Sequence, residues 1–231
     1  MSRDDGSRLA HSDRFLAPSR LCDAGHPAIE EKALSLGRSC ASQREQAIRI
    51  YHFVRDEILY QMCPFSDAAS DTLASQRGHC YQKANLEIAL LRSLAIPAGF
   101  ITQRIDPGVL RPFLSDQAMA LLGGRLAHAY ACAFLDDRWV GADATFDKPL
   151  LDFALGDHWQ MQESWDGARD VTLPAHLLIG RPSEPRAALY GPADLPDPTP
   201  REILLVLNRR LLAIRAEMED RRPAGSGGGR G

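Results

Sequence analysis

The sequence predicts a mixed fold in which helices come first and antiparallel strands follow, on three observations. Apolar residues recur at helical spacing over 43–58 and again from Cys80 to about Leu94. Two strand-like runs, Leu126–Leu135 and Arg138–Asp143, are joined by Asp136 and Asp137, an acidic pair suited to a tight turn. A third helical stripe closes the chain, with Ile203, Leu204, Leu207, Leu211 and Ile214 on one face.

Each element has its own signals. Residues 1–26 mix Gly, Ser, Asp and Arg without sustained periodicity and read as a partly ordered arm, with Phe15, Leu16 and Leu21 able to dock it on the body. Residues 27–150 read as the core. A short helix is expected from Pro27 to Leu36, with Glu30 and Glu31 in its first turn and Gly37 as its stop. Ser42 or Gln43 opens the next, whose apolar face is Ala47, Ile48, Ile50, Tyr51, Val54 and Ile58. Residues 61–79 are rich in Pro, Ser, Asp and Gly, and read as a loop that delivers the chain to the Cys80 helix. Pro97 ends that helix, and Ala98–Ile105 reads as a strand. Residues 106–125 read as a lid or a short-helix insertion before the hairpin. Residues 151–222 form an extension: beyond Pro149 prolines are frequent and periodicity fades until Thr199, Pro200 and Glu202 open the last helix. Residues 223–231 are a Gly-rich tail expected to be disordered.

Composition narrows the function. The chain has 231 residues, of which 45% are hydrophobic, and 27 Lys+Arg against 30 Asp+Glu. A net charge of −3 speaks against a protein that works by binding phosphate backbones or anionic membranes, so neither nucleic acid nor a membrane is expected as a partner. The five cysteines, at 22, 40, 63, 80 and 132, form no C-x-x-C pair, and no two histidines fall in metal-ligand register. No metal or other cofactor is therefore expected. The first residues lack the apolar run of a signal peptide, and the expected compartment is the reducing cytoplasm, where thiols stay free.

One of those thiols stands where chemistry is favoured. Cys80 opens a helix after Arg77-Gly78-His79, so the positive end of the helix dipole would stabilise its thiolate. In the hairpin, a two-residue turn at 136–137 makes cross-strand pairs sum to 273, so Tyr130 opposes Asp143 and His128 opposes Thr145. His128 and Asp143 then share a sheet face as diagonal neighbours, about 7 Å apart at the backbone and within side-chain reach. A nucleophile, an imidazole to handle its proton and a carboxylate to orient the imidazole are thus present in the order Cys80, His128, Asp143. His79 reads as a rim residue, Gln82 and Asn85 as helix-surface groups, Trp159 and Trp165 as core, and the arginines of the last helix as a solvated face.

Several blocks of the sequence resemble the transglutaminase-like domain of the papain-like cysteine superfamily. They are YHFVRDEILY at 51–60, TLASQRGHC at 72–80, Ala84 and Leu86, ALLRSLAIP at 89–97, HAY at 128–130 and WVGADAT at 139–145. The resemblance covers about residues 45–147. It implies an α+β fold with the cysteine helix packed on an antiparallel sheet, and a Cys-His-Asp triad at Cys80, His128 and Asp143; the extra N- and C-terminal helices are read from the sequence's own periodicity.

The expected function is thiol-dependent acyl transfer at amide bonds, by hydrolysis or by transfer to an amine, through a thioester. The substrate is expected to be a peptide, a protein or a small amide. The backbone N–H of Cys80 is the first expected oxyanion donor, worth about 3 kcal/mol. Gln76 and Tyr60 are the candidates for the second. An amide-forming biosynthetic or arylamine-acetyltransferase-like enzyme is the alternative, and a non-catalytic protein-binding module is a third class.

Overall fold

The computed structural model describes residues 13–62, 67–122, 124–157, 164–189 and 201–221. Its helices and strands follow the order expected, and local side chains explain where most begin. Helix α1 (Pro27–Gly37) starts at His26, whose imidazole accepts the Ala28 N–H, with proline in the first turn where no N–H is required. Helix α2 (Gln43–Glu57) opens at Ser42, whose Oγ accepts the Glu45 N–H, while the Glu45 carboxylate reaches back to the Ala41 N–H. Its Ala47, Ile50, Tyr51 and Val54 are buried.

The segment expected as one loop contains more order than its composition suggests. Strand β1 (Leu59–Tyr60) pairs in parallel with β2 (Arg77–Gly78), and between them lies helix α3 (Ala69–Ser75). Two helical turns are too short to print a periodic apolar pattern, so tertiary bonds hold α3 instead. Ser70 bonds to Asp23 through both its N–H and its hydroxyl, and the Ala69 N–H donates to the Leu21 carbonyl.

Helix α4 (Cys80–Ser93) is central, with every residue from Tyr81 to Arg92 buried. It packs across a four-stranded antiparallel sheet with strand order β5-β4-β3-β6. The strands are β3 (Ala98–Ile105), β4 (Leu126–Leu135), β5 (Arg138–Ala142) and β6 (Leu178–Ile179). The β4–β5 ladder runs from Leu135 opposite Arg138 to Ala131 opposite Ala142, the register derived from the turn. Asp136 and Asp137 both have positive φ, as a two-residue hairpin turn with right-handed strand twist demands. Strand β5 stops one residue earlier than expected, because the Asp143 N–H leaves the ladder to bond the Val171 carbonyl at 3.1 Å.

The insertion before β4 is a 3-10 turn (Pro107–Leu110) followed by helix α5 (Asp116–Met119). Helix α6 (Lys148–Asp157) was not expected. Pro149 occupies its second position, where a helix tolerates proline, so that residue marks a start and not a break. Helix α7 (Arg201–Asp220) buries Ile203, Leu207, Leu211 and Ile214 as its stripe requires. The expected cap at Thr199 and Pro200, Trp159 and the Gly-rich tail lie outside the described residues. The arm docks through Phe15, which is buried against Trp139, whereas Leu21 stays exposed.

Two apolar clusters result. One lies between α1, α2, α4 and the sheet; the other gathers Phe113, Phe146, Leu150 and the inner stripe of α7. Helix α7 is tied in by more than apolar contact. Asn208 accepts the Met62 N–H and donates to the Met62 carbonyl, filling both backbone bonds of that residue. Buried Arg215 grips the Asp147 carboxylate with two nitrogens and donates to the Tyr60 carbonyl, and Asp147 also accepts the Tyr60 N–H. Arg215 thus departs from the solvated face expected of the last helix's arginines.

Candidate active site

Three elements deliver three side chains to one place. Cys80 is the first residue of α4, His128 lies on β4, and Asp143 follows the end of β5. His128 Nε2 is 2.7 Å from Asp143 Oδ2, with both side chains buried. The Asp143 Oδ1 accepts the Thr145 N–H at 3.2 Å. The half-buried Cys80 thiol lines the same cavity as the imidazole and is close enough for each to shift the other's titration. With Nε2 committed to the carboxylate, Nδ1 is the ring nitrogen left for sulfur.

Charge organises the cluster. Burial pushes the Cys80 thiol up, but the neighbouring His128, and after it His79, outweigh it and bring the thiol down to about 6. Burial opposes the charged form of His128 as well. Asp143 and then Cys80 overcome it and raise the imidazole to about 10. Asp143 is held below the usual carboxylate range against its burial, chiefly by His128 and then by Thr145. Both shifts favour a thiolate beside an imidazolium, and the two titration steps belong to the pair.

Neighbouring residues set these positions. His79 is 1% exposed and accepts the Tyr81 N–H through Nδ1, so it caps α4 from inside and does not sit on a rim. Gln82 is buried too: its Oε1 accepts the His79 N–H, and its Nε2 donates to Asp67. Asn85 is buried and donates to the Leu21 carbonyl. Both amides on α4 therefore bind chain segments, where the sequence suggested surface groups. Gly78 precedes this cap, and a Cβ there would meet the Gln82 Cβ at 2.8 Å. Trp165 is core, as expected, and donates its indole N–H to the Arg169 carbonyl.

Of the two further candidates, the structure brings one to the cluster. Tyr60 is buried and lines the same cavity as Cys80 and His128. Burial, with the charges of Cys80 and Asp143 adding to it, pushes its phenol upward, so the hydroxyl keeps its proton. Gln76 is exposed at the C-terminal end of α3, in a left-handed conformation with φ 52°, and does not line the cavity.

Sequence reasoning missed two contributors. Tyr130 stacks on His128 with ring centroids 5.7 Å apart; its parity, two residues along the same strand face, was the available signal. Glu87, two turns beyond Cys80, is fully buried, and neither carboxyl oxygen finds a hydrogen-bond partner among the described residues. Burial and the nearby Asp143 charge push its carboxyl well above the usual range, which favours the protonated form. Among the described residues, no cluster of His, Cys, Asp and Glu could hold a metal ion.

Residues 31–144 match the family described as the transglutaminase-like superfamily. This segment is a transglutaminase-like domain. The match takes in α2, α3, α4 and the hairpin through Asp143, that is, all three members of the cluster. Among solved structures, a "putative cysteine protease" from Cytophaga hutchinsonii is similar at 23% identity, covering 65% of this chain and 45% of its own, with a TM-score of 0.46. A "putative protease" from Parabacteroides distasonis is similar at 16% identity, covering 60% of this chain and 26% of its own, with a TM-score of 0.36. The chain thus spans less than half the length of either relative. No curated protein sequence is similar enough to count as a match. The family supports a thiol-dependent enzyme in general terms.

Proposed function

We propose that the protein is a thiol acyltransferase or hydrolase acting on amide bonds, with Cys80 as nucleophile, His128 as acid and base, and Asp143 as the group that orients the imidazole. The observation that supports this reading is the buried His128–Asp143 pair at 2.7 Å, with Cys80 and His128 lining one cavity.

The thiolate attacks the substrate carbonyl carbon and forms a C–S bond, placing negative charge on the carbonyl oxygen. The backbone N–H of Cys80, at the first helical position where no intrahelical acceptor exists, is the natural donor to that oxygen. The protonated Tyr60 hydroxyl in the same cavity is our candidate for a second. As the C–N bond breaks, the imidazolium gives its proton to the departing amine nitrogen, leaving a thioester and a neutral imidazole. Water or an amine then gives a proton to His128 and attacks the thioester; the C–S bond breaks and the thiolate returns. A reducing compartment such as the cytoplasm is where this sulfur would stay available.

Alkylation of Cys80 by iodoacetamide across pH, read by mass spectrometry, tests the assignment. The rate is expected to rise with a midpoint near 6, well below that of an ordinary thiol. His128→Ala should move the midpoint upward and slow labelling at pH 7. A Cys80 that labels no faster than Cys40 at pH 7 overturns the proposal. Amine-dye incorporation into a glutamine-containing peptide, compared with ammonia release, separates transfer from hydrolysis.

A further inference from the structure

The cavity beside Cys80 has a lining of two kinds. The thiol, both imidazoles, Thr145 and two tyrosines bring polar atoms; the rest is aliphatic side chains, Met62 and Phe146. Its empty space, open mouth and adjoining solvent included, is about 680 Å³. Among the described residues lining it there is no Asp, Glu, Lys, Arg, Asn or Gln, and Thr145 is the single hydroxyl outside the tyrosines. A charged side chain placed among those apolar residues would lose water with no opposite charge to replace it, whereas an apolar group would gain from leaving water.

The apolar walls come mainly from outside the elements that carry the thiol and the imidazole. Val109 and Leu110 belong to the 3-10 turn of the insertion, and Ile203, Leu204 and Leu207 to α7. Asn208 and Arg215 bond that helix to Met62 and Tyr60, two residues that line the cavity. The wall is therefore fixed by polar bonds aimed at cavity residues, and is more than incidental packing.

We infer that this cavity selects a substrate carrying an uncharged, apolar group next to the reacting carbonyl, and that Leu204, half-buried at the wall, sets that preference. The inference rests on the proposed role of Cys80 and names the substrate class. A hydrocarbon chain and an apolar peptide side chain share the required chemistry.

The test uses the full chain and four iodoacetamides whose N-substituent is hexyl, leucine amide, lysine amide or glutamate amide. Rates at Cys80 are divided by those at Cys40 for the same reagent. The hexyl and leucine reagents are expected to outrun the lysine and glutamate reagents by at least about tenfold, the effect of burying one such side chain. A faster hexyl reagent assigns an acyl chain; a faster leucine reagent assigns a peptide. Leu204→Lys should cut the apolar advantage at least about threefold and favour the glutamate reagent over the lysine one. Equal rates for all four reagents at a Cys80 that still outpaces Cys40 overturn this inference alone. A Cys80 no faster than Cys40 with any reagent overturns the reading beneath it.

Discussion

Asp143 and Glu87 are buried carboxyl groups shifted in opposite directions, and the difference is their partners. Asp143 has His128 and the Thr145 N–H, which favour its ionised form; Glu87 has neither, and burial favours its protonated form. Replacing Asp143 by Asn keeps the size but removes the charge that raises His128. The expected result is an imidazole that loses its proton at lower pH, and a loss of thiol reactivity at pH 7 of at least about tenfold, measured by iodoacetamide labelling. Glu87 bears on stability. Its folded pKa lies above the unfolded value of 4.5, so between the two the folded state binds more protons and stability falls as pH rises. Glu87→Gln should abolish that component, which amounts to about 1.4 kcal/mol per pH unit over the window starting near 4.5. Urea unfolding of both proteins at pH 5 and pH 7 checks it: the variant should gain on the wild type as pH rises, and an unchanged difference would refute a neutral Glu87.

At the scale of elements, the N-terminal turn of α4 is a joint and not merely a helix end. The β1–β2 pair brings Gly78 against Gln82, Gln82 holds the His79 N–H and reaches Asp67, and the His79 ring caps the helix that begins with Cys80. A side chain at 78 must push Gln82 away. Gly78→Ala is expected to destabilise the protein by about 1–3 kcal/mol and to reduce Cys80 labelling, both measured on the same preparation. Loss of stability with labelling unchanged would show that this joint does not position the thiol. A helix start after a glycine is visible in sequence, but the contact between Gly78 and the helix that follows depends on β1, nearly 20 residues earlier. Helices α3 and α6 stayed hidden for local reasons: one is two turns long, and the other carries a proline that is harmless only at a helix start.

Across the whole molecule, the second apolar cluster and α7 complete the cavity that the transglutaminase-like segment begins. The Arg215–Asp147 pair is buried and bidentate, and removing one partner leaves the other charge without compensation. Arg215→Ala is expected to cost about 3–5 kcal/mol, and pairing it with Asp147→Asn should restore part of that in a double-mutant cycle followed by urea unfolding. Additive losses would mean the pair contributes little. No helix among the described residues is long and apolar enough to cross a membrane.

Spacing and parity along the chain were enough to put Cys80 at a helix start and His128 beside Asp143 in the hairpin, because a two-residue turn fixes which strand residues face one another and a helix start fixes where its dipole points. They also placed the central helix, the hairpin and the inner face of α7. Contacts between residues far apart in sequence left no such trace. Arg215 meets Asp147 across 68 positions, Asn208 meets Met62 across 146, and Tyr60 comes to the thiol while Gln76 does not. Periodicity reports only which face of an element is apolar; the partner of that face, and the apolar cavity that the partners enclose, exist only once the chain has closed on itself.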